Sequence, residues 1–531
     1  MTLIRALLLA SLATPAAAQT LVDAPAGRVT GIAQGKLAVF KGIPYAQAPV
    51  GERRWRAPQP LPRWAGTRPA TDFGPACIQP SVPATSVYAP TTPLPTSEDC
   101  LSLNIWAPRQ AKRAPVLVWI HGGALLTGSS REALYDGRHL ADRGLVVVSI
   151  NYRLGALGYL AHPALSAEDP RHVSGNYGLL DQVAALAWVR RNIAAFGGDP
   201  ANVTIAGESA GALSATYLMV TPAARPLFRR AIVQSGYLVT TPALRTAAFG
   251  LPPAEAIGAR ALPAGDAATL RRMDAQTLTN GAAAAGFLPF ANVDGVVLPE
   301  QPVVAFDAGH QAKVPVLAGF NQGEIRSLRV LAAQPPASAE AYEQGIRARY
   351  GDMADAFLRL YPAVTYRESI LLTPRDALYG WTSERLVRSQ TAAGRPSYLY
   401  LWDHGYPAMD DANLHAFHAS ELPFTFGTLS LTGPNWPKVP DTPDERRLSN
   451  AMLDYWTSFA ATGTPRTAGG PAWPAFDATL PIMHFTAAPR VEPSLLAGMY
   501  DFNEAVVRRR RAAGTIPWNW NVGLNAPLPT P

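Results

Sequence analysis

The segment Gly207-Glu208-Ser209-Ala210-Gly211 places a serine between two glycines, each two positions away. The run before it, Val203–Ala206, reads as a strand, and the run after it, Ala212–Val220, reads as an apolar helix. Ser209 therefore falls at a strand-to-helix corner, where a strained backbone conformation exposes the side-chain hydroxyl. Glycines at 207 and 211 remove Cβ atoms that would collide across so sharp a turn. The N-terminus of the outgoing helix also faces any negative charge that develops beside the hydroxyl. The chemistry this permits is nucleophilic attack; a serine that merely caps a turn is the simpler alternative, and the flanking strand and helix weigh against it.

A serine hydroxyl is a weak nucleophile and needs a base that is itself held in orientation. For this corner the partners follow in the order nucleophile, acid, histidine. His310, His404, His415, His418 and His484 all follow Ser209, and Glu300, Glu324 and Asp403 are all candidates for the acid. Spacing does not choose among them. His415 and His418 are close enough in sequence to suggest a metal pair, but no set of carboxylates or cysteines completes a site, so no metal and no organic cofactor is expected. Acyl transfer also needs donors for an oxyanion. His121-Gly122-Gly123-Ala124 follows an apolar strand and, past the histidine, lacks bulky side chains, which suits backbone N–H groups facing a carbonyl oxygen; the N–H of Ala210 is the expected further donor.

The elements that must position these groups follow an α/β pattern. Val116–Ile120, Leu145–Ile150 and Val203–Ala206 are apolar on both faces, as strands of a covered parallel sheet are. A helix is expected from about Gly178 to Ala195, where Leu180, Val183, Leu186 and Val189 recur at helical spacing. The expected fold is α/β: a central, mostly parallel twisted sheet flanked by helices. Between about 240 and 400 the chain is Ala- and Pro-rich, with helical patches at Ala254–Leu262 and Glu340–Ala356 and strand-like Val314–Leu317 and Tyr398–Trp402. This reads as helical insertion over a continuing sheet. Glu445–Thr462 is the last strong helix, and the tail from Gly514 reads as irregular.

Composition limits what else the protein can be. With 48% hydrophobic and 16% charged residues, a 531-residue chain packs rather than remains disordered. The net charge of +7 comes from scattered residues, so it gives no nucleic-acid footprint. Arg508–Arg511 is the one like-charge block and reads as the solvated face of a late helix. Met1–Ala18 has a basic Arg5, an apolar core over Ala6–Ala13 and small residues at Ala16–Ala18, the three parts of a secretory signal cleaved after Ala18. Its apolar run is too short to span a bilayer, which takes roughly 20 residues, and no later run is longer, so no membrane span is expected. The expected protein is secreted or periplasmic, with residues 19–531 as one catalytic domain. Export suits a bridge between Cys77 and Cys100, closing a loop of 22 residues rich in Pro, Ser and Thr. Asn202-Val203-Thr204 fits a glycosylation acceptor, but feeding directly into a buried strand makes it a poor one.

Phe40-Lys41-Gly42-Ile43-Pro44-Tyr45-Ala46, Glu98-Asp99-Cys100-Leu101-Ser102-Leu103-Asn104, Asn151-Tyr152-Arg153-Leu154-Gly155, Gly175–Gln182 and Phe196-Gly197-Gly198-Asp199-Pro200 lead in order to the Gly207–Gly211 corner. Together these blocks resemble the type-B carboxylesterases, the cholinesterase-like branch of the α/β-hydrolase fold, over nearly the whole chain after the signal. The resemblance implies a hydrolase of small-molecule carboxylic esters, with Ser209 as nucleophile. It also implies Glu324, in Gly319-Phe320-Asn321-Gln322-Gly323-Glu324, as the acid, and His418, ahead of Glu421-Leu422-Pro423-Phe424, as the base. It assigns the oxyanion donors to Gly123, Ala124 and Ala210, supporting roles to Glu208, Ser235 and Glu421, and the family disulfide to Cys77 and Cys100. Two departures bear on this. Ala124 stands where the family's third glycine is usual, so that donor depends on the local φ. The loop from Cys77 to Cys100 has Tyr88 as its one aromatic residue and lacks the tryptophan with which cholinesterases hold a choline cation, which argues against a quaternary-ammonium substrate. A non-catalytic adhesion protein of the same fold and an interfacially activated lipase are the alternatives.

Overall fold

The computed structural model describes residues 19–263 and 265–528, so the expected signal segment 1–18 lies outside the described residues. Among the described residues there are fifteen strands: β1 (Gln19–Ala24), β2 (Gly27–Gln34), β3 (Leu37–Pro44), β4 (Thr67–Pro69), β5 (Ala76–Cys77), β6 (Thr96–Ser97), β7 (Ser102–Pro108), β8 (Ala114–Ile120), β9 (Val146–Ile150), β10 (Gly198–Glu208), β11 (Arg230–Gln234), β12 (Val316–Asn321), β13 (Tyr398–Trp402), β14 (Pro481–Phe485) and β15 (Arg490–Pro493). Thirteen of them form one sheet in the order β1-β2-β3-β7-β9-β8-β10-β11-β12-β13-β14-β15, with β4 beside β2. The run from β9 through β14 is parallel, and antiparallel pairs flank it on both sides. This is the α/β architecture that the apolar runs require.

Those runs are divided strictly between two cores. Val116, Val118 and Ile120 of β8, Val146, Val148 and Ile150 of β9 and Val203 and Ile205 of β10 enter one, with the helices Tyr177–Asn192 and Ala210–Val220. Leu117, Trp119, Val147 and Ala206 enter the other, against the helix Pro443–Thr462. Alternate residues of a strand face opposite ways, so a strand covered on both sides is apolar throughout.

Several boundaries differ from the sequence reading, each for a local reason. The stretch expected as one helix over Glu340–Ala356 is two, Ala339–Tyr350 and Ala354–Leu360, because Gly351 adopts φ +51° and ends the first. β11 does not stand out in the sequence because Arg230 and Gln234 leave only Ala231-Ile232-Val233 as an apolar run. After Pro374 the backbone widens into a π-helical turn over Arg375–Gly380, where the proline ring and its missing N–H disturb the regular ladder. Asn202 lies in β10, its side chain held by Arg230 and the Ala461 carbonyl. β5 and β6 pair side by side at the base of the loop that the Cys77–Cys100 disulfide closes. No helix among the described residues is long and apolar enough to cross a membrane.

The arginine block is the clearest correction. Arg508 and Arg509 do lie on a solvated face, paired with Glu504 and Asp352. Arg510 is buried, and its guanidinium donates to the carbonyls of Pro517, Trp518, Trp520 and Asn521. It therefore folds the tail back onto the helix Met499–Ala513. Arg510→Ala leaves those carbonyls without their donor; we expect a lower thermal midpoint and early proteolytic cleavage after residue 513. Arg508→Ala, by contrast, changes neither. Equal behaviour of the two variants in a melting and limited-proteolysis comparison contradicts this account.

Candidate active site

β10 ends at Glu208, and Ser209 follows with φ +55° and ψ −121°, a conformation that non-glycine residues rarely adopt. Both glycine positions explain how the chain tolerates it. A Cβ on Gly207 would lie 2.4 Å from the Gly211 carbonyl carbon, a collision across the turn itself. A Cβ on Gly211 would lie 2.0 Å from the Ile120 carbonyl oxygen, so that glycine admits β8 rather than relieving the turn. The Ser209 N–H donates to the Gln234 carbonyl at the end of β11.

β8 delivers the loop that begins at His121. That imidazole is buried, stacks on Tyr152 at 4.6 Å, and burial lowers its pKa to about 4, so it is a neutral structural residue. A Cβ on Gly122 would stand 2.9 Å from Glu208 Oε2 and 3.2 Å from Ser209 Cβ, which shows how tightly the loop is pressed on the serine corner. Gly123 has φ +100° and Ala124 φ +56°. The loop thus keeps a left-handed turn at 124 despite a Cβ, at a strain of about 1 kcal/mol or more. Among the described residues, no backbone bond outside regular elements takes up the N–H groups of Gly123, Ala124 or Ala210.

Each of the five histidines that follow Ser209 has a carboxylate partner. His310 meets Glu300, His404 meets Glu445, and His415 and His484 share Asp403. Pairing alone is therefore as uninformative in space as spacing is in sequence. His418 is set apart by place: Nδ1 is hydrogen-bonded to Glu324 Oε2, and Nε2 lies 3.1 Å from Glu208 Oε1, on the residue next to Ser209. Both side chains of the His418–Glu324 pair are buried. No hydrogen bond joins His418 to Ser209 Oγ in this arrangement; Nε2 stands against Glu208 instead.

The surroundings of this imidazole are strongly acidic. Glu324 Oε1 accepts from the Asn321 N–H, while Asn321 Nδ2 donates to Glu421 Oε2 at 2.7 Å and to the Phe417 carbonyl at 2.8 Å. Glu421 Oε1 accepts from Gln234 Nε2. Burial raises Glu208 to about 8 despite the nearby imidazole, Glu421 to about 6 and Glu132 to about 7. Burial works to lower the pKa of His418, but the charges of Glu208 and Glu324 prevail and raise it to about 9. Ser235, expected to support the histidine, is buried with φ +49°, and its Oγ has no hydrogen-bond partner. Its N–H donates to the Gly319 carbonyl, so its contribution is to the strand ends.

Other contributors were not legible as such. Tyr379, on the π-helical turn, lies over His418 with ring centroids 5.3 Å apart and meets Tyr237 edge-on. Tyr88, in the disulfide-closed loop, donates to the His418 carbonyl at 3.0 Å and pairs with the Ser327 hydroxyl at 2.8 Å, so this loop steadies the backbone of the candidate base. Asn321 lies inside the Gly319–Glu324 block without having been singled out; an amide beside an acid at a strand end is the signal that could have found it.

The Carboxylesterase family model matches residues 18–503. The chain is 37% identical over 506 residues to the fumonisin B1 esterase of Sphingopyxis macrogoltabida, covering 90% of this chain and 89% of that protein. It is 36% identical over 463 residues to the para-nitrobenzyl esterase of Bacillus subtilis, covering 85% and 91%. A solved PNB esterase structure superposes with a TM-score of 0.78 at 33% identity, covering 91% of this chain and 99% of that one. A match of this extent in sequence and in fold shows that the chain belongs to the carboxylesterase family, carboxylic-ester hydrolases of the α/β-hydrolase fold.

Proposed function

We propose that the protein is an exported serine carboxylesterase acting through an acyl-enzyme on Ser209. The observation that carries this reading is the buried His418–Glu324 pair, whose free nitrogen ends at the residue adjoining a strained, corner-mounted serine. His418 Nε2 passes from Glu208 Oε1 to Ser209 Oγ, two groups on adjacent residues, and takes the hydroxyl proton as Oγ attacks the ester carbonyl. Glu324 fixes the tautomer and stabilises the imidazolium that forms. The N–H groups of Gly123, Ala124 and Ala210 receive the oxyanion, each worth typically about 2.7–4 kcal/mol in the transition state. The imidazolium returns its proton to the departing alcohol, and water, activated by the same base, releases the acid.

The substrates are small-molecule carboxylic esters, hydrolysed outside the cytoplasm by residues 19–531 as one catalytic unit. The left-handed turn at Ala124 supports an intact oxyanion hole without the usual glycine. The Cys77–Cys100 bridge supports an oxidising compartment, and Tyr88, engaged by the His418 carbonyl, supports the absence of a choline site. Fumonisin B1 and p-nitrobenzyl esters are the first compounds to test, given the relatives' activities.

Ser209→Ala is expected to abolish turnover and the mass increment from an organophosphate, and His418→Ala to lower kcat by several orders of magnitude in a folded protein; a near-normal rate in either contradicts the assignment. The neutral imidazole is the active form, so kcat/KM should rise with pH through a midpoint above the ordinary histidine value of 6.5, because flanking carboxylates hold the proton on. Glu208→Gln removes one of those charges and should move that midpoint to lower pH. A midpoint at or below 6.5 in the parent, or no shift in the variant, contradicts the electrostatic account.

A further inference from the structure

Away from the serine corner, acid and imidazole alternate along a chain of five side chains. Asp410 Oδ1 lies 3.0 Å from His415 Nδ1, and His415 Nε2 lies 2.9 Å from Asp403 Oδ1. Asp403 Oδ2 is 2.9 Å from His484 Nε2, and His484 Nδ1 is 2.9 Å from Glu492 Oε1. Each imidazole thus has a carboxylate oxygen at both nitrogens. A neutral imidazole has one N–H and one lone pair, and the lone pair would face a carboxylate; only the imidazolium donates at both ends. At His484 the contact is mixed, because Arg490, which pairs with Glu492, brings its donor Nη2 to 3.3 Å from His484 Nδ1; the doubly donating imidazolium is therefore argued for His415. The other cation whose field reaches Asp403 is Arg375, itself bound to Asp376.

The ladder has a mechanical position. Asp403 directly follows β13, and its N–H donates to the Phe485 carbonyl at the end of β14, so it belongs to the rigid sheet. His415 stands three residues before His418 on the irregular segment that carries it. A Cβ on Gly405 would lie 2.3 Å from His415 Nδ1, so the glycine there makes room for the ring. On the other side the His415 carbonyl presses on Gly323, where a Cβ would come within 1.8 Å, and the Gly323 N–H donates to the Ala416 carbonyl. The segment is therefore pinned by its side chain to the sheet edge and by its backbone to the turn that carries Glu324.

We propose that His415, clamped between Asp403 and Asp410, is a positioning residue that holds the His418 segment in register with Glu324 and the serine corner. This rests on His418 being the base, as proposed above. Hydrogen bonding to Asp403 outweighs burial and raises both His415 and His484 above the ordinary histidine value. Burial pushes Asp403 upward, yet the two imidazoles bring it to about 2. A group whose folded pKa is raised contributes at low pH and loses its contribution as pH rises through that pKa.

The test compares kcat and KM of the parent and His415→Ala on a p-nitrophenyl ester between pH 6 and 10. Near neutrality the variant should lose roughly tenfold in kcat with KM within about twofold, because a small misplacement of a base costs rate rather than binding. The parent-to-variant ratio should then fall towards one as pH rises, since the parent loses the same charge. A ratio near one throughout, a ratio independent of pH, or a loss confined to KM overturns the proposal. Should His415→Ala fail to fold, His484→Gln, at the sheet end of the ladder, carries the same comparison, with a smaller loss of the same pH shape expected and a flat ratio overturning the idea. Activity surviving in Ser209→Ala or His418→Ala would instead defeat the catalytic reading itself, so the two failures are distinguishable.

Discussion

An imidazole taken out of water among several carboxyl groups loses more hydration than charge pairing restores, unless the surrounding donors and acceptors are answered. The His418 site meets that requirement largely with groups from strand ends. Asn321 closes β12 and serves Glu324 through its backbone and Glu421 through its side chain; Gln234 closes β11 and serves Glu421 while accepting from Trp456. At the C-terminal edge of the parallel sheet the Asn321 N–H is spent on an acid, Glu324, while those of Ser209, Ser235 and Gln322 bond the carbonyls of adjacent strand ends. Burial raises the pKa of Glu208 and Glu132, and at Glu208 the nearby imidazole works against that rise.

The strain at Ser209 follows from the same crowding. β8, β10 and β11 converge with so little space that β8 carbonyls sit where a Gly211 side chain would be, and the Gly122 backbone sits against Glu208. Holding a side chain in a sparsely populated conformation needs neighbours that forbid the alternatives, and three adjacent strands with their connecting loops provide them. The left-handed turn at Ala124 is sustained in the same way, where φ rather than glycine was the requirement.

The sequence was most informative where one element decides the outcome. Continuous apolar runs marked β8, β9 and β10 because alternate residues must satisfy two cores, and glycines marked the corner because a Cβ does not fit there. It was weakest where an outcome depends on distant chain segments. Nothing local distinguishes Arg510 from its neighbours in the run of four arginines, yet its guanidinium is the one that bonds the tail carbonyls, while Arg511 lies over the Trp518 ring. Tyr88 was legible as an aromatic in a loop, but its bond to the His418 carbonyl spans 330 residues. The π-helical turn that carries Tyr379 needed Pro374 together with the packing of Met499 and Phe320 against Gly380. Even the choice of base required a family resemblance, since the spacing of five histidines held no preference.

Those five histidines show why. At similar distances from a carboxylate, environment alone sorts them into different tasks. His310 and Glu300 meet in the open, where water and salt leave such a pair little net effect. His404 and Glu445 are buried and serve packing beside Trp402 and Phe424. His415 is half-buried and His484 buried, each between two acids, where protonation is favoured. His418 alone of the five is held between a buried glutamate at Nδ1, Glu324, and the residue that precedes Ser209 at Nε2, Glu208. A pair type common across the molecule thus meets the strained serine corner at one place among the described residues, and that is where the proposed base stands.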